Sequence, residues 1–258
     1  MAHQQHRSLK YEYEVYVQRE IEDYKDSIPR SAILSIGDEA VATLRAQEQV
    51  AFDELVLWDE VDRIITRRLR IPAFSTWKKR RLRLLAEYRR PEHWGMRADA
   101  PLVRAIPPGA ESHVLITGSR LSESALYLAA NGCTVTAVEE EPDVLDRVMS
   151  AAEAVGLARQ VNTFASPLSQ WAPDGPLTAV VCSPAAFAGL SDEDRARVIA
   201  VLQSATLDGG VHLVETIAAG QNGLTIDELR TRYRGWSISV ERDDTPTPTF
   251  LARKGMAS

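Results

Sequence analysis

Between Val114 and Pro142 the sequence changes its apolar period twice, and no other stretch restricts the fold as tightly. His113–Thr117 is a short apolar run that stops at Gly118. Glu123–Ala130 then carries Ala125, Leu126, Leu128 and Ala129 at helical spacing. Asn131-Gly132 closes that helix, glycine being the residue that tolerates the left-handed backbone of a C-cap. Val135–Val138 reads as a second buried strand, with Glu139 at its carboxyl end. Open α/β sheets bind ligands at that edge, where a carboxylate can hydrogen-bond a ribose diol. The pattern is therefore a nucleoside-binding βαβ unit. Its turn, Gly118-Ser119-Arg120-Leu121-Ser122, has one glycine where nucleotide-binding turns use two or three for close backbone approach.

The alternation continues after this unit. Pro142–Val155 has Val144, Leu145, Val148 and Ala152 on one helical face, and Glu140, Glu141 and Asp143 suit its N-terminus. Val161–Phe164 and Leu177–Cys182 are strands, the latter apolar enough to lie centrally in a parallel sheet. Asp192–Ala205 is a helix, Leu207-Asp208-Gly209-Gly210 a turn, and Val211–Val214 a fifth strand. A helix over Ile226–Arg232 precedes an antiparallel closing pair, Trp236–Glu241 and Thr249–Arg253. Strands spaced by helices predict an α/β fold, a doubly wound and mostly parallel sheet.

The preceding residues carry almost no strand signal. Apolar stripes predict helices through Tyr13–Tyr24, through Ile33–Leu44, over Gln47–Leu69 and over Thr76–Arg89. Prolines and glycines crowd residues 91–112, too densely for a regular element. The expected organisation is a helical segment over 1–90, a connector over 91–112 and an α/β domain over 113–258. Charge divides the helical segment: residues 1–62 hold 6 Lys/Arg against 14 Asp/Glu, whereas residues 63–90 hold 11 against one. The run Trp77-Lys78-Lys79-Arg80-Arg81-Leu82-Arg83 interleaves a ring with cations, as nucleic-acid binders do. The more economical reading is that the acidic and basic helices neutralise each other, within the bundle or across a homodimer.

A chain of 258 residues with net charge −6 favours neither nucleic acid nor membrane overall, and no stretch reaches the ~20 apolar residues of a membrane span. The first ten residues have no apolar leader core. Cys133 and Cys182 flank predicted strands and read as reduced core residues, and the five histidines lack ligand spacing, so no metal is expected. These features point to a cytoplasmic protein.

Over about residues 105–255 the order of elements and several phrases resemble the class I S-adenosylmethionine-dependent methyltransferases. Val114-Leu115-Ile116-Thr117-Gly118 matches the family's first strand and glycine loop, and Thr136-Ala137-Val138-Glu139 its acidic residue after strand two. Leu207-Asp208-Gly209-Gly210-Val211 resembles the loop before strand five, and Gly235-Trp236 with Phe250–Lys254 the terminal hairpin. The resemblance implies S-adenosylmethionine as cofactor, held by Gly118, Ser119 and Arg120 of the loop, by Glu139 at the ribose, and by Ser166 and Ser183 after strands three and four. The chain departs from the family at Ile116, where an acidic residue is usual, and in Phe164-Ala165-Ser166-Pro167 and Ser183-Pro184-Ala185-Ala186-Phe187.

Methyl transfer needs alignment more than acid–base help, because the sulfonium is itself activated. Glu139, Glu140, Glu215 and His93 are the candidate proton acceptors, and none is singled out as a catalytic base; His212, inside a strand, reads as a core histidine. The implied function is methyl transfer to a small-molecule or protein acceptor. The alternative is a non-catalytic relative of that fold acting as a binding or scaffold module through its N-terminal helices.

Overall fold

The structure, a computed structural model, describes residues 8–46, 53–109, 111–118, 121–215, 224–241 and 248–256. The chain divides into two compact units, Met1–Leu84 and Leu85–Ser258.

The first unit is helical. Helix α1 spans Leu9–Ser27 and starts where Ser8 accepts the Tyr11 N–H. Helix α2 spans Arg30–Ala46, α3 Glu54–Arg68 and α4 Phe74–Tyr88, the last of which runs across the division. The expected helix over Gln47–Leu69 starts later than its apolar pattern. Asp53 is extended and its side chain accepts from the Val56 N–H, so the cap sets the boundary; residues 47–52 lie outside the described residues. Ile21, Ile36, Ala40, Val61, Ile64 and Ile65 form the core of this unit.

In the second unit the strands are β1 His113–Thr117, β2 Thr134–Glu139, β3 Val161–Ala165, β4 Leu177–Cys182, β5 Thr206–Val214, β6 Ser237–Glu241 and β7 Thr249–Arg253. They form one seven-stranded sheet in the order β3-β2-β1-β4-β5-β7-β6. The first five are parallel and β7 enters antiparallel between β5 and β6. Helices α5 Pro101–Ala105, α6 Leu121–Ala130, α7 Pro142–Val155, α8 Asp192–Ala205 and α9 Ile226–Arg232 complete the unit.

Alternation along the strands builds two cores. Val114 and Ile116 of β1 pack with α6 and α7 residues such as Leu126, Leu128 and Val148. Leu115 points the other way, into the cluster of Val198, Ile199, Leu202 and Leu229 from α8 and α9. Helix α6 ends as expected: Gly132 has φ 91° and the Cys133 N–H reaches back to the Leu128 carbonyl.

Two expectations about regular structure are corrected. The stretch 91–112 contains a 3₁₀ turn at Pro91–Trp94 and helix α5, because Pro91 and Pro101 each fall at a helix start, where the missing N–H costs nothing. Strand β5 begins at Thr206, before the expected turn. Its register with β4 shifts between Leu177/Thr206 and Ala179/Val211, so the Leu207-Asp208-Gly209-Gly210 turn is an irregularity inside the strand.

Candidate functional site

The carboxyl ends of β1, β2 and β4 converge on one glycine. Gly118 leaves β1 at φ 94°, a conformation side chains rarely adopt. Its N–H donates to a carboxylate oxygen of Glu139 at the end of β2. On the other side the Ser183 N–H donates to the Thr117 carbonyl (3.2 Å), extending the β1–β4 pairing by one bond. The Ser183 hydroxyl then occupies the space beside the Gly118 Cα: a Cβ built there would stand 2.2 Å from it. Ser183 and Thr117 are buried, while Gly118 and Glu139 are half-buried and keep an open side.

The third strand adds its end to the same edge. The Ser166 N–H donates to the Glu139 backbone carbonyl (2.9 Å), and the Ser166 hydroxyl turns to the Pro167 carbonyl (3.2 Å). At the end of β5 the Glu215 N–H continues the ladder to the Cys182 carbonyl (2.9 Å). Burial, and secondarily the charge of Glu215, pushes the Cys182 thiol up to about 12, which removes it as a nucleophile. Thus Ser166, Glu139, Gly118 and Ser183 stand along one edge, in the sheet order β3-β2-β1-β4. Ser119 and Arg120 lie outside the described residues.

Among the other candidate acceptors, Glu140 is exposed beyond the strand end. His93 does not join the edge. It meets Tyr88 at a tilt and Trp94 edge to face, with ring centroids 5.0 and 4.7 Å away, and Trp94 packs on the α6 side of the core. Asn131, just past the C-terminus of α6, donates its amide to the Arg89 carbonyl (3.3 Å). Because α6 runs back along the sheet, this turn sits at the opposite edge from Glu139, and the His93–Trp94 pair covers the core there. His212 is 1 % exposed and has both ring nitrogens engaged, by Thr206 and Tyr233.

Two features carried no sequence signal. One is the Gly118–Glu139–Ser183 arrangement itself, which links residues far apart in the chain. The other is a surface cavity of about 460 Å³ lined by Ala172, Pro173, Arg197, Val201 and Ser204, continuing into one of about 190 Å³ against Leu168 and Trp171. It follows the β3–β4 connection along α8 and includes none of the strand-edge residues. It is a shallow groove of the helical face, and the chemistry-bearing groups stand elsewhere. Among the described residues no group of three or more His, Cys, Asp or Glu could hold a metal ion. No described helix is long and apolar enough to cross a membrane.

No protein-family model and no curated protein matches the sequence. Solved structures do match the fold. TehB from Haemophilus influenzae superposes with a TM-score of 0.51 at 18% identity, over 63% of this chain and 65% of TehB, so the match spans under two thirds of that protein. The N-methyltransferase NodS from Bradyrhizobium japonicum WM9 gives a TM-score of 0.48 at 14% identity, covering 62% of this chain and all (100%) of NodS. S-adenosylmethionine-bound CalS10, an amino pentose methyltransferase from Micromonospora echinaspora, gives 0.47 at 14% identity over 59% of this chain and 86% of CalS10. The chain has the class I methyltransferase fold. At these identities the similarity is one of fold and carries no residue roles.

Proposed function

We propose that this chain is an S-adenosylmethionine-dependent methyltransferase acting on a small-molecule or protein acceptor. The observation that carries the reading is the Glu139 carboxylate, held at the carboxyl end of β2 by the Gly118 N–H with one side open. A carboxylate accepts about four hydrogen bonds and Gly118 uses one, which leaves capacity for a ribose diol. At the ribose end the residues present therefore fit the cofactor.

When bound, the sulfonium supplies an activated methyl group. What remains for the chain is positioning. Glu139 would orient the ribose. Gly118 would let the ligand approach the backbone, and Ser166 would offer a neutral hydroxyl on the β3 side, a weaker partner than a carboxylate. Ser183 sets the floor between β1 and β4. Ser119 and Arg120 complete the loop set in this reading. With Ile116 in place of an acidic residue on β1, affinity would rest more heavily on Glu139 than the family pattern implies.

The test is thermal unfolding with S-adenosylmethionine and S-adenosylhomocysteine. A ligand at about a hundred times its dissociation constant adds roughly 2.7 kcal/mol, a shift of several degrees for a domain of this size. A clear rise with either ligand, lost in Glu139→Ala while the apo midpoint survives, is the expected result. No rise at millimolar ligand overturns the proposal.

A further inference from the structure

The solvent side of α4 carries cations that the fold does not neutralise. The basic residues of α3 are consumed locally: Arg63 and Arg67 pair with Glu60, and Arg68 with Glu39. On α4, Arg81 turns inward to Glu12 (3.4 Å) and Lys78 lies 6.0 Å over the Phe74 ring. Lys79, Arg80 and Arg83 are exposed, and among the described residues none of the three forms an ion pair. The neutralisation expected between acidic and basic helices thus covers the α3 arginines and Arg81 of α4, and leaves out Lys79, Arg80 and Arg83.

We propose that this ridge binds nucleic acid through the phosphate backbone. A helix rises about 1.5 Å per residue, so Lys79, Arg80 and Arg83 place three charges within ~6 Å of axis. That density approaches the one phosphate per ~1.7–3.4 Å of a nucleic-acid axis. Two of the three are arginines, whose planar donor forks suit phosphate oxygens. An anionic membrane is a poorer occupant, because surface helices dip a free apolar face into the bilayer. Here the rings of Phe74 and Trp77 are spent on Tyr13, with centroids 5.5 and 5.4 Å from it, which leaves Leu82 and Leu84 as the exposed large apolar residues of α4, too few for such a face. The competing occupant is an acidic protein face, a second copy included, which the exposed Leu82 and Leu84 beside the ridge would also suit.

The ridge lies in the first unit and the inference is independent of methyl transfer. The test uses the full chain and two fluorescent probes, a 20-nucleotide single-stranded RNA and a 20-base-pair DNA duplex, followed by anisotropy. About three phosphate contacts predict a slope of log K on log salt near −2 for the single strand and −2.7 for the duplex. Binding should then weaken roughly 15- to 40-fold between 50 and 200 mM salt. Lys79→Gln/Arg80→Gln/Arg83→Gln should remove binding. Lys10→Gln/Arg30→Gln/Arg45→Gln, which changes net charge equally at exposed sites of the same unit, should retain it. Glutamine is a good helix former, and circular dichroism checks both variants. If the first variant does not fold, the wild-type slope decides alone, and one shallower than −1 overturns the proposal. It is equally overturned by no binding to either probe at micromolar chain in 50 mM salt, by equal loss in both variants, or by a wild-type dimer that dissociates in the first variant.

Discussion

The hydroxyl of Ser183 stands 2.2 Å from where a Cβ on Gly118 would be, so the two residues define each other's size. A side chain at position 118 must both displace that hydroxyl and hold φ at 94°. The first cost is local overpacking and the second is backbone strain. Together they predict that Gly118→Ala destabilises the second unit by about 2–4 kcal/mol. Ser183→Ala removes the hydroxyl clash but keeps the position-183 Cβ and N 3.1 Å from the new methyl, and leaves the strain. In a double-mutant cycle read by chemical denaturation, Gly118→Ala should therefore cost about 1 kcal/mol less in the Ser183→Ala background. Equal costs in both backgrounds would show that the hydroxyl simply swings away.

How much of this was legible in the sequence depends on where each signal resides. Strand β4 and helices α7, α8 and α9 begin and end where their patterns say, because their boundaries are set locally, α8 and α9 by the Ser191 and Thr225 caps. Helix α3 starts later than its apolar pattern predicts because its boundary is set by the Asp53 cap, a signal the apolar spacing does not carry. The connector's short helices are hidden in the sequence because a proline at the first helical position looks like a breaker. Glu139 was recognisable as the acid after strand two. Its bond to Gly118 and the Ser183 wedge were not, since they arise only when three strands, far apart in sequence, come into register. The division of the cations into a paired α3 set and an unpaired α4 ridge has the same origin: composition shows the charge and only packing shows its partners.

Glu60 and its two arginines offer an asymmetric test of the first unit. The Glu60 side chain is 1% exposed, whereas those of Arg63 and Arg67 are 60% and 63% exposed. Removing both arginines strands a buried carboxylate; removing the carboxylate leaves two cations that water already reaches. Arg63→Gln/Arg67→Gln should accordingly cost about 3–5 kcal/mol and Glu60→Gln only about 1–3. Urea unfolding of each variant reads the order, and the reverse order would mean that water reaches Glu60 when its partners leave.

Cys133 and Cys182 are both buried, and burial raises both thiols, Cys182 to about 12. At pH 8 a thiol of that pKa is thiolate for only about one molecule in 10⁴. Neither cysteine should react with Ellman's reagent in the folded chain within an hour, and both should react at once in guanidinium. A full equivalent released from the native chain would place one thiol on a surface that opens readily.

His212 makes the fold sensitive to acid. The Thr206 hydroxyl has one proton and gives it to the Leu202 carbonyl (2.7 Å), so it can only accept from His212 Nε2 (2.7 Å). That fixes the neutral tautomer with its proton on Nε2, and leaves Nδ1 to accept from the Tyr233 hydroxyl (2.7 Å). A second proton, on Nδ1, would require the Tyr233 hydroxyl to turn from donor to acceptor inside the core. Burial first, and the nearby Lys254 ammonium second, lower the ring to about 3 from the usual 6.5. Above about pH 6.5 both folded and unfolded chains hold a neutral ring, and His212 adds no pH dependence. As pH falls below that value the unfolded chain takes up a proton that the fold refuses. Stability should then decline by up to about 1.4 kcal/mol per pH unit until the folded ring titrates near 3. His212→Gln keeps a donor and an acceptor without titrating. It should cost about 1–3 kcal/mol at pH 7.5 through imperfect hydrogen bonds, and flatten the stability profile between pH 6.5 and 4.5 by one proton. Urea midpoints measured for both chains across that range decide the matter: parallel profiles would mean that other groups, carboxylates above all, carry the acid sensitivity.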